Sequence, residues 1–501
     1  MPATPAATPA TAEPAASGTL TTTAGYDWFQ FGGDPQHSGD NTQEQALTAA
    51  NVSGLQPIFH VTLPNVADGA PVFLHAVNTA GGLADLLFVT TKAGDVLALD
   101  AHTGATVWSH PAPANTCHIN NLLFPCYTTS SPAIDPDRQS VYSYGLDGRV
   151  HKYRATDGQE TLDASWPEVV TLKPYDEKGS SALAAATARD GTRYLYVATS
   201  GYFGDQGDYQ GHLVTINLVD GSQHVFNALC SDQALHLADR RTGSSPDCGQ
   251  LQAGIWARAG AVYDPATDRI YLATGNGTFD PASHHWGDTV FALHPDGTGA
   301  NGDPVDSYTP SSFARLQFFD VDLGSTAPAV LPPLAGSPLP HLGVQGGKDA
   351  TLRLINLDDL SGQGGPGHTG GEVSSLPVPM GGQVLTAPAT WTDPADGSPW
   401  LFVADGKGTA GLQLAMDSAT GKPRLNPVWQ NASGGTSPLV ANGVLYVASS
   451  GHVWALAPKT GQVLWSSTQV GGIHWESPIV AGDTLYLTDE SSGLTAFSLR
   501  P

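Results

Sequence analysis

Two stretches spell nearly the same phrase, Val96-Leu97-Ala98-Leu99-Asp100-Ala101-His102-Thr103-Gly104-Ala105-Thr106-Val107-Trp108 and Val453-Trp454-Ala455-Leu456-Ala457-Pro458-Lys459-Thr460-Gly461-Gln462-Val463-Leu464-Trp465. Each is a short apolar strand, a tight turn carrying Thr-Gly, and a second strand that ends in Trp. A phrase repeated this far apart marks an internal repeat. A unit this small cannot bury its own faces, so several must pack together.

Weaker copies emerge through the first strand of the unit. Gly69-Ala70-Pro71-Val72, Ser131-Pro132-Ala133-Ile134, Ser180-Ser181-Ala182-Leu183, Ala259-Gly260-Ala261-Val262, Ala327-Pro328-Ala329-Val330, Ala387-Pro388-Ala389, Ser437-Pro438-Leu439-Val440 and Ser477-Pro478-Ile479-Val480 open eight units. A second strand signal follows each, as in Leu87-Phe88-Val89, Leu195-Tyr196-Val197 and Leu445-Tyr446-Val447. With a third and fourth strand joined by a glycine turn, the unit is a four-stranded antiparallel meander. Repeated radially, it predicts an all-β, eight-bladed β-propeller. The eighth unit ends after Leu494-Thr495-Ala496-Phe497 without a fourth strand, and Leu55-Gln56-Pro57-Ile58-Phe59-His60-Val61 reads as the missing outer strand that closes the ring.

Composition agrees. With 58 Gly, 38 Pro and only 13% charged residues in 501, the chain suits a turn-dense β body and excludes a coiled coil or a disordered chain. Residues 1–25, rich in Ala, Pro and Thr, read as a flexible segment, and residues 26–501 as a single propeller domain. No stretch is long and apolar enough to span a membrane, and no apolar signal core is present. Four cysteines flank two short insertions; of three pairings, Cys117–Cys126 with Cys230–Cys248 is the simplest, and it points to a secreted, periplasmic or cell-surface location. A net charge of −25 excludes nucleic acid and anionic lipid as partners. The ring reads as a monomer whose partner is a small neutral substrate, or a protein or glycan, held at one mouth.

Strand parity places that mouth. If strands A to D run outward, the B-to-C and D-to-A loops share one face. The unusual polar residues fall in such loops: Gly201 to Gly211 with Asp205, Thr274-Gly275-Asn276-Gly277, Gly346-Gly347-Lys348-Asp349, and Asp320-Val321-Asp322 before the fifth unit. Carboxylates, an amide oxygen and a lysine converging there suit a hard cation such as calcium together with an anionic or carbonyl-bearing ligand.

At these residues the chain resembles the quinoprotein alcohol dehydrogenase-like eight-bladed propellers. Ala98 to Trp108 matches their tryptophan-docking repeat, Ala-x-Asp-x-x-Thr-Gly-x-x-x-Trp. The resemblance implies pyrroloquinoline quinone (PQQ) bound over calcium. By that likeness Asn276 and Asp205 are metal ligands, and Asp322 is both a metal ligand and the catalytic base. Lys348 is the group that touches the quinone carbonyls. Gln210 stands where the family has an Arg, and Trp256 or Arg258 stands near the position of the flat Trp beneath the quinone. The adjacent cysteine pair of these enzymes has no counterpart here. Two readings follow: an oxidoreductase acting on alcohol or sugar hydroxyls with PQQ and calcium, and a non-catalytic ring serving as a binding or scaffold module.

Overall fold

The computed structural model describes residues 25–499 apart from 114, 120, 121, 204, 241, 242 and 244–246. The N-terminal segment expected over residues 1–25 lies, but for Gly25, outside the described residues. Eight antiparallel four-stranded blades follow one another around an axis; blade 3 gains a fifth strand in Glu177–Gly179, and blade 7 gains a parallel fifth in Asp40–Asn41. Blade 1 is Val72–Thr79, Gly82–Thr90, Val96–Asp100 and Thr106–His110, and blade 7 is Leu439–Ala441, Val444–Ser449, His452–Leu456 and Val463–Ser467. The two halves of the repeated phrase are therefore the third and fourth strands of blades 1 and 7. First strands of successive blades touch at the axis. Small residues at their entrances, including Ala70, Ala182, Ala259, Ala327 and Ala387, pack in one cluster there, because eight strand ends can meet only where side chains are short.

The tryptophans join blade to blade. Trp108 lies over Gly158 in the turn of blade 2 and donates its indole N–H to Ala155 O at 3.0 Å. Trp429 does the same to Gly461 and Pro458 O in blade 7. A methyl on Gly158 would stand 2.5 Å from the Trp108 ring, and its φ of +72° already favours glycine, so the turn and the ring specify each other. Trp108→Ala is expected to lower unfolding free energy by about 3–5 kcal/mol, as for other buried Trp truncations. Urea denaturation measures this, and a change under 1 kcal/mol would remove the docking role.

Closure of the ring follows the expected route. Leu55–Thr62 pairs antiparallel with Gly493–Leu499 as the outer strand of blade 8, with a register shift between Pro57 and Phe59. Phe59 and Val61 then press on Gly104 of blade 1, filling the place a docking Trp takes elsewhere.

Upstream of that strand lies an element the repeat pattern does not announce. Residues 28–41 run across the axis and bond to the inner edges of the blades in turn. Trp28 pairs with Phe73 of blade 1, Phe29 O accepts from Ile134 N of blade 2, and the Gln30 side chain bonds both ways with Ala185 of blade 3. Pro35 O then accepts from Tyr263 N of blade 4, Ser38 O from Thr390 N of blade 6 and Gly39 O from Val440 N of blade 7. Asn41 reaches Val480 O of blade 8. An inner strand edge with unpaired amides is costly when buried, and this segment supplies the partners.

Candidate functional site

The connections from D to A and from B to C do open on one mouth of the ring. They enclose a cavity of about 340 Å³ whose wall includes Tyr127, Lys178, Tyr202, Asp205, Trp256, Arg258, Asp320, Asp322, Lys348, His474 and Trp475. Every one of these residues stands just before a first strand or just after a second one.

One end of the cavity is acidic. Asp322 Oδ1 accepts the Asn276 backbone N–H at 2.8 Å, Asp322 Oδ2 contacts Lys348 Nζ, and the Lys348 amide donates to Asp322 O at 3.0 Å. Burial works against charge on Lys348, but the Asp322 contact, with Asp320 and Asp205 behind it, holds the ammonium above its ordinary range. Asp205 accepts the Tyr209 hydroxyl at 2.7 Å; burial, with the charges of Asp320 and Asp322, raises its carboxyl despite that bond. Behind Asp322, Asp288 accepts from Leu323 N at 3.0 Å and from Asn276 Nδ2 at 3.3 Å, and burial next to other carboxylates pushes it up to about 8. Asn276 Oδ1 is buried without a partner.

The other end is cationic and aromatic. Arg258 is buried on the axis, where it donates to the carbonyls of Ser180 at 2.9 Å, Thr129 at 2.7 Å and Asp68 at 3.1 Å, tying together the entrances to blades 3, 2 and 1. Trp475 lies over its guanidinium at 5.9 Å. Asp68 faces His474 and Lys92; their charges, with that of Arg258, outweigh its burial and hold it low. Among the described residues, only Asp68, His474 and Glu490 bring three ligand atoms within 4.8 Å of one another, and Lys92 Nζ already stands 3.2 Å from Asp68 and 2.9 Å from Glu490.

A family model described as "Glucose/ethanol/alcohol dehydrogenase, beta-propeller domain" matches residues 28–293, more than half of the chain. The chain belongs to the PQQ-type β-propeller family. A second model of this kind, described as "Outer membrane protein assembly factor BamB", matches residues 367–500 of the PQQ-type ring. The dehydrogenase subunit of a quinone alcohol dehydrogenase from Gluconobacter oxydans (strain 621H) is 24% identical over 409 residues, which is 75% of this chain and 49% of that protein. The chain thus spans about half the length of that relative. Among solved structures, the europium-containing methanol dehydrogenase superposes with a TM-score of 0.63 at 15% identity over 94% of this chain and 98% of that one. The quinohemoprotein alcohol dehydrogenase ADHIIG from Pseudomonas putida HK5 gives 0.63 at 13% identity over 94% and 80%. These likenesses bear on the fold.

Within the PQQ-type ring, the residues singled out from sequence separate into three groups. Asp205, Asp322, Lys348, Trp256 and Arg258 line the cavity. Asn276 stands one layer behind Asp322. Gln210 is fully buried outside the cavity wall: its Oε1 contacts Lys173 Nζ, its Nε2 donates to Gln250 O at 2.8 Å, and its amide donates to Glu177 Oε1 at 2.9 Å. The Lys173–Glu177 pair that holds it is itself buried, with 3.0 Å between the charged atoms. Trp256 rather than Arg258 offers a ring to the cavity, wedged against Gly254, Gly275 and the Tyr209 ring. Both disulfides form as paired by proximity, and Cys117–Cys126 packs behind Tyr202.

Sequence reasoning passed over Lys178, although it precedes the first strand of blade 3 as Asp322 precedes that of blade 5. Glu476, next to the His474-Trp475 pair, is also buried: Oε2 accepts the His474 amide at 2.6 Å, Oε1 has no partner, and burial facing Asp68 pushes the carboxyl up to about 8. A folded-state value above the unfolded one means that the native state holds the extra proton, so stability falls as pH rises from about 4.5 to about 8. Glu476→Gln is expected to flatten that slope, by on the order of a few kcal/mol across the window. Urea melts at pH 5 and pH 8 read it, and an unchanged slope would assign the loss elsewhere.

Proposed function

We propose that this protein is a secreted quinoprotein oxidoreductase that oxidises alcohol or sugar hydroxyls, with PQQ and calcium held at the cavity. The carrying observation is the arrangement of that cavity: an aromatic Trp256 surface beside the Asp322–Lys348 acid–base pair, facing the Arg258 and Lys178 cations. A planar, polyanionic quinone suits such a lining, and Asn276 Oδ1, a buried carbonyl oxygen without a partner among carboxylates, suits a hard cation. Asn276, Asp322 and Asp205 would hold the calcium. When bound, the quinone supplies the two-electron acceptor.

The chain's own groups do the rest. Asp322 takes the substrate hydroxyl proton, with Lys348 and the Asn276 amide keeping its two oxygens in place. The spare N–H bonds of Lys348 favour an oxygen that gains charge during the reaction. The disulfides, together with the lack among the described residues of any helix long and apolar enough to cross a membrane, support an extracellular or periplasmic location.

Titration of the purified protein with PQQ, with and without calcium, followed by dye reduction with a panel of alcohols and sugars, tests the reading. Binding at or below the micromolar range and calcium-dependent dye reduction are expected. No binding at that level would leave the second reading, a non-catalytic ring that holds a peptide or glycan at the same mouth. The match of residues 367–500 to an assembly-factor model favours that second reading.

A further inference from the structure

We infer that Lys178 is a nucleophilic amine that forms a Schiff base with a small carbonyl compound bearing a carboxylate, bound at the cationic end of the cavity. The inference needs neither quinone nor metal; it uses the cationic end of the cavity proposed for the quinone, and its test reads no oxidoreductase activity.

Geometry carries it. Lys178 is buried, yet it lines the cavity, and its ammonium meets a hydroxyl instead of a counter-ion. Among the described residues it forms no ion pair. Its own strand, Glu177–Gly179, turns the Glu177 carboxylate away toward Lys173 and Thr171. From the blade 1 to 2 connection comes the Tyr127 ring, 5.2 Å from Nζ. Ser200 of blade 3 bonds to Ser180, and Arg258 comes from the next connection, with Asp68 and Lys92 beyond it. Arg258 likewise has no carboxylate partner among the described residues, and its Nε–H is unpartnered. Two buried cations with no carboxylate in direct contact, Asp68 acting on both only from beyond Arg258, are an arrangement that a carboxylate ligand would complete.

The same surroundings make the amine reactive. Burial and the neighbouring Arg258 push Lys178 down to about 7. At pH 7 about half of such amines are unprotonated, against about one in three thousand for a lysine at its ordinary value. The nitrogen lone pair attacks the carbonyl carbon, and the carbonyl oxygen takes a proton. The carbinolamine then loses water, with one hydrogen from nitrogen, to leave a C=N bond. Lys178 donates to Ser180 Oγ, which contacts Ser200 Oγ, and this hydroxyl chain can carry those protons.

The test is glyoxylate with cyanoborohydride, which reduces the imine and leaves the aldehyde, applied to the whole protein at pH 7 and followed by peptide mapping. Reductive labelling of Lys178 at least about tenfold faster than at the exposed Lys407 and Lys422 is expected, with a rate that rises through pH 7. Lys178→Gln should remove that fast label. Labelling confined to Lys407, Lys422 and other exposed lysines, or no faster at Lys178, would overturn the inference. The wild-type map decides this even if the variant does not fold.

Discussion

Asp322→Asn is expected to lower dye-linked alcohol oxidation by about 10²–10⁴-fold, the range that a positioned proton acceptor contributes, while the affinity for PQQ stays within a few-fold. The substitution keeps the shape. The amide oxygen can still accept from the Asn276 N–H, so the loop ahead of blade 5 stays where it is. Its Nδ2 would instead point a donor at the Lys348 ammonium, which then has no carboxylate in contact, and the substrate hydroxyl would meet no base. Steady-state rates with parallel absorbance titration separate the two effects. Turnover retained within threefold would remove Asp322 from the proton-transfer role. Loss of quinone binding would show instead that its main part is to hold the cofactor.

Truncating the chain to begin at Thr42 is expected to abolish cooperative folding or to lower Tm by more than any single substitution described above. The truncation leaves the closing strand Leu55–Thr62 intact and removes the segment that covers the axis. Trp28 and Phe31 are 4% and 3% exposed, and their loss opens the cluster formed by the entrances of the blades. Amides on the inner edges of blades 2, 4, 6 and 7 would lose their partners together, and each buried amide left unpaired costs about 1–3 kcal/mol. Trp28→Ala, expected to cost about 3–5 kcal/mol, gives the lower bound for comparison. Circular dichroism melts of the three proteins measure the series. A truncated chain that melts like the full one would show that the blades hold the axis unaided.

Residues at and behind the cavity wall differ sharply in their sequence signals. Asp322 and Lys348 were legible because strand parity needs only a correct count of strands. Once Ala327-Pro328-Ala329-Val330 is read as a first strand, the residues before it must face the same mouth as those after each second strand. Lys178 obeys the same rule but sits in a segment, Glu177-Lys178-Gly179, with no visible oddity. Its character comes from Arg258, eighty positions later, and from the loss of water around it. Gln210 shows the reverse. Its loop suggested a cofactor contact, yet Lys173 and Glu177 draw it behind the wall. Which of two polar side chains in one loop turns toward a cavity depends on partners from other connections, and spacing does not encode them.

The repeated phrase ending in Trp108 and Trp465 by itself determined the all-β class, the eight blades, the closing strand and the mouth at which polar residues gather. These follow from local periodicity, turn chemistry and parity, which are properties of neighbouring residues. Tertiary structure alone decided that residues 28–41 cover the axis, that Arg258 ties three blade entrances together, and that Lys178 and Glu476 sit where water cannot stabilise their charge. Burial and electrostatic environment are set by residues from many blades at once, so they come into being only when the ring closes.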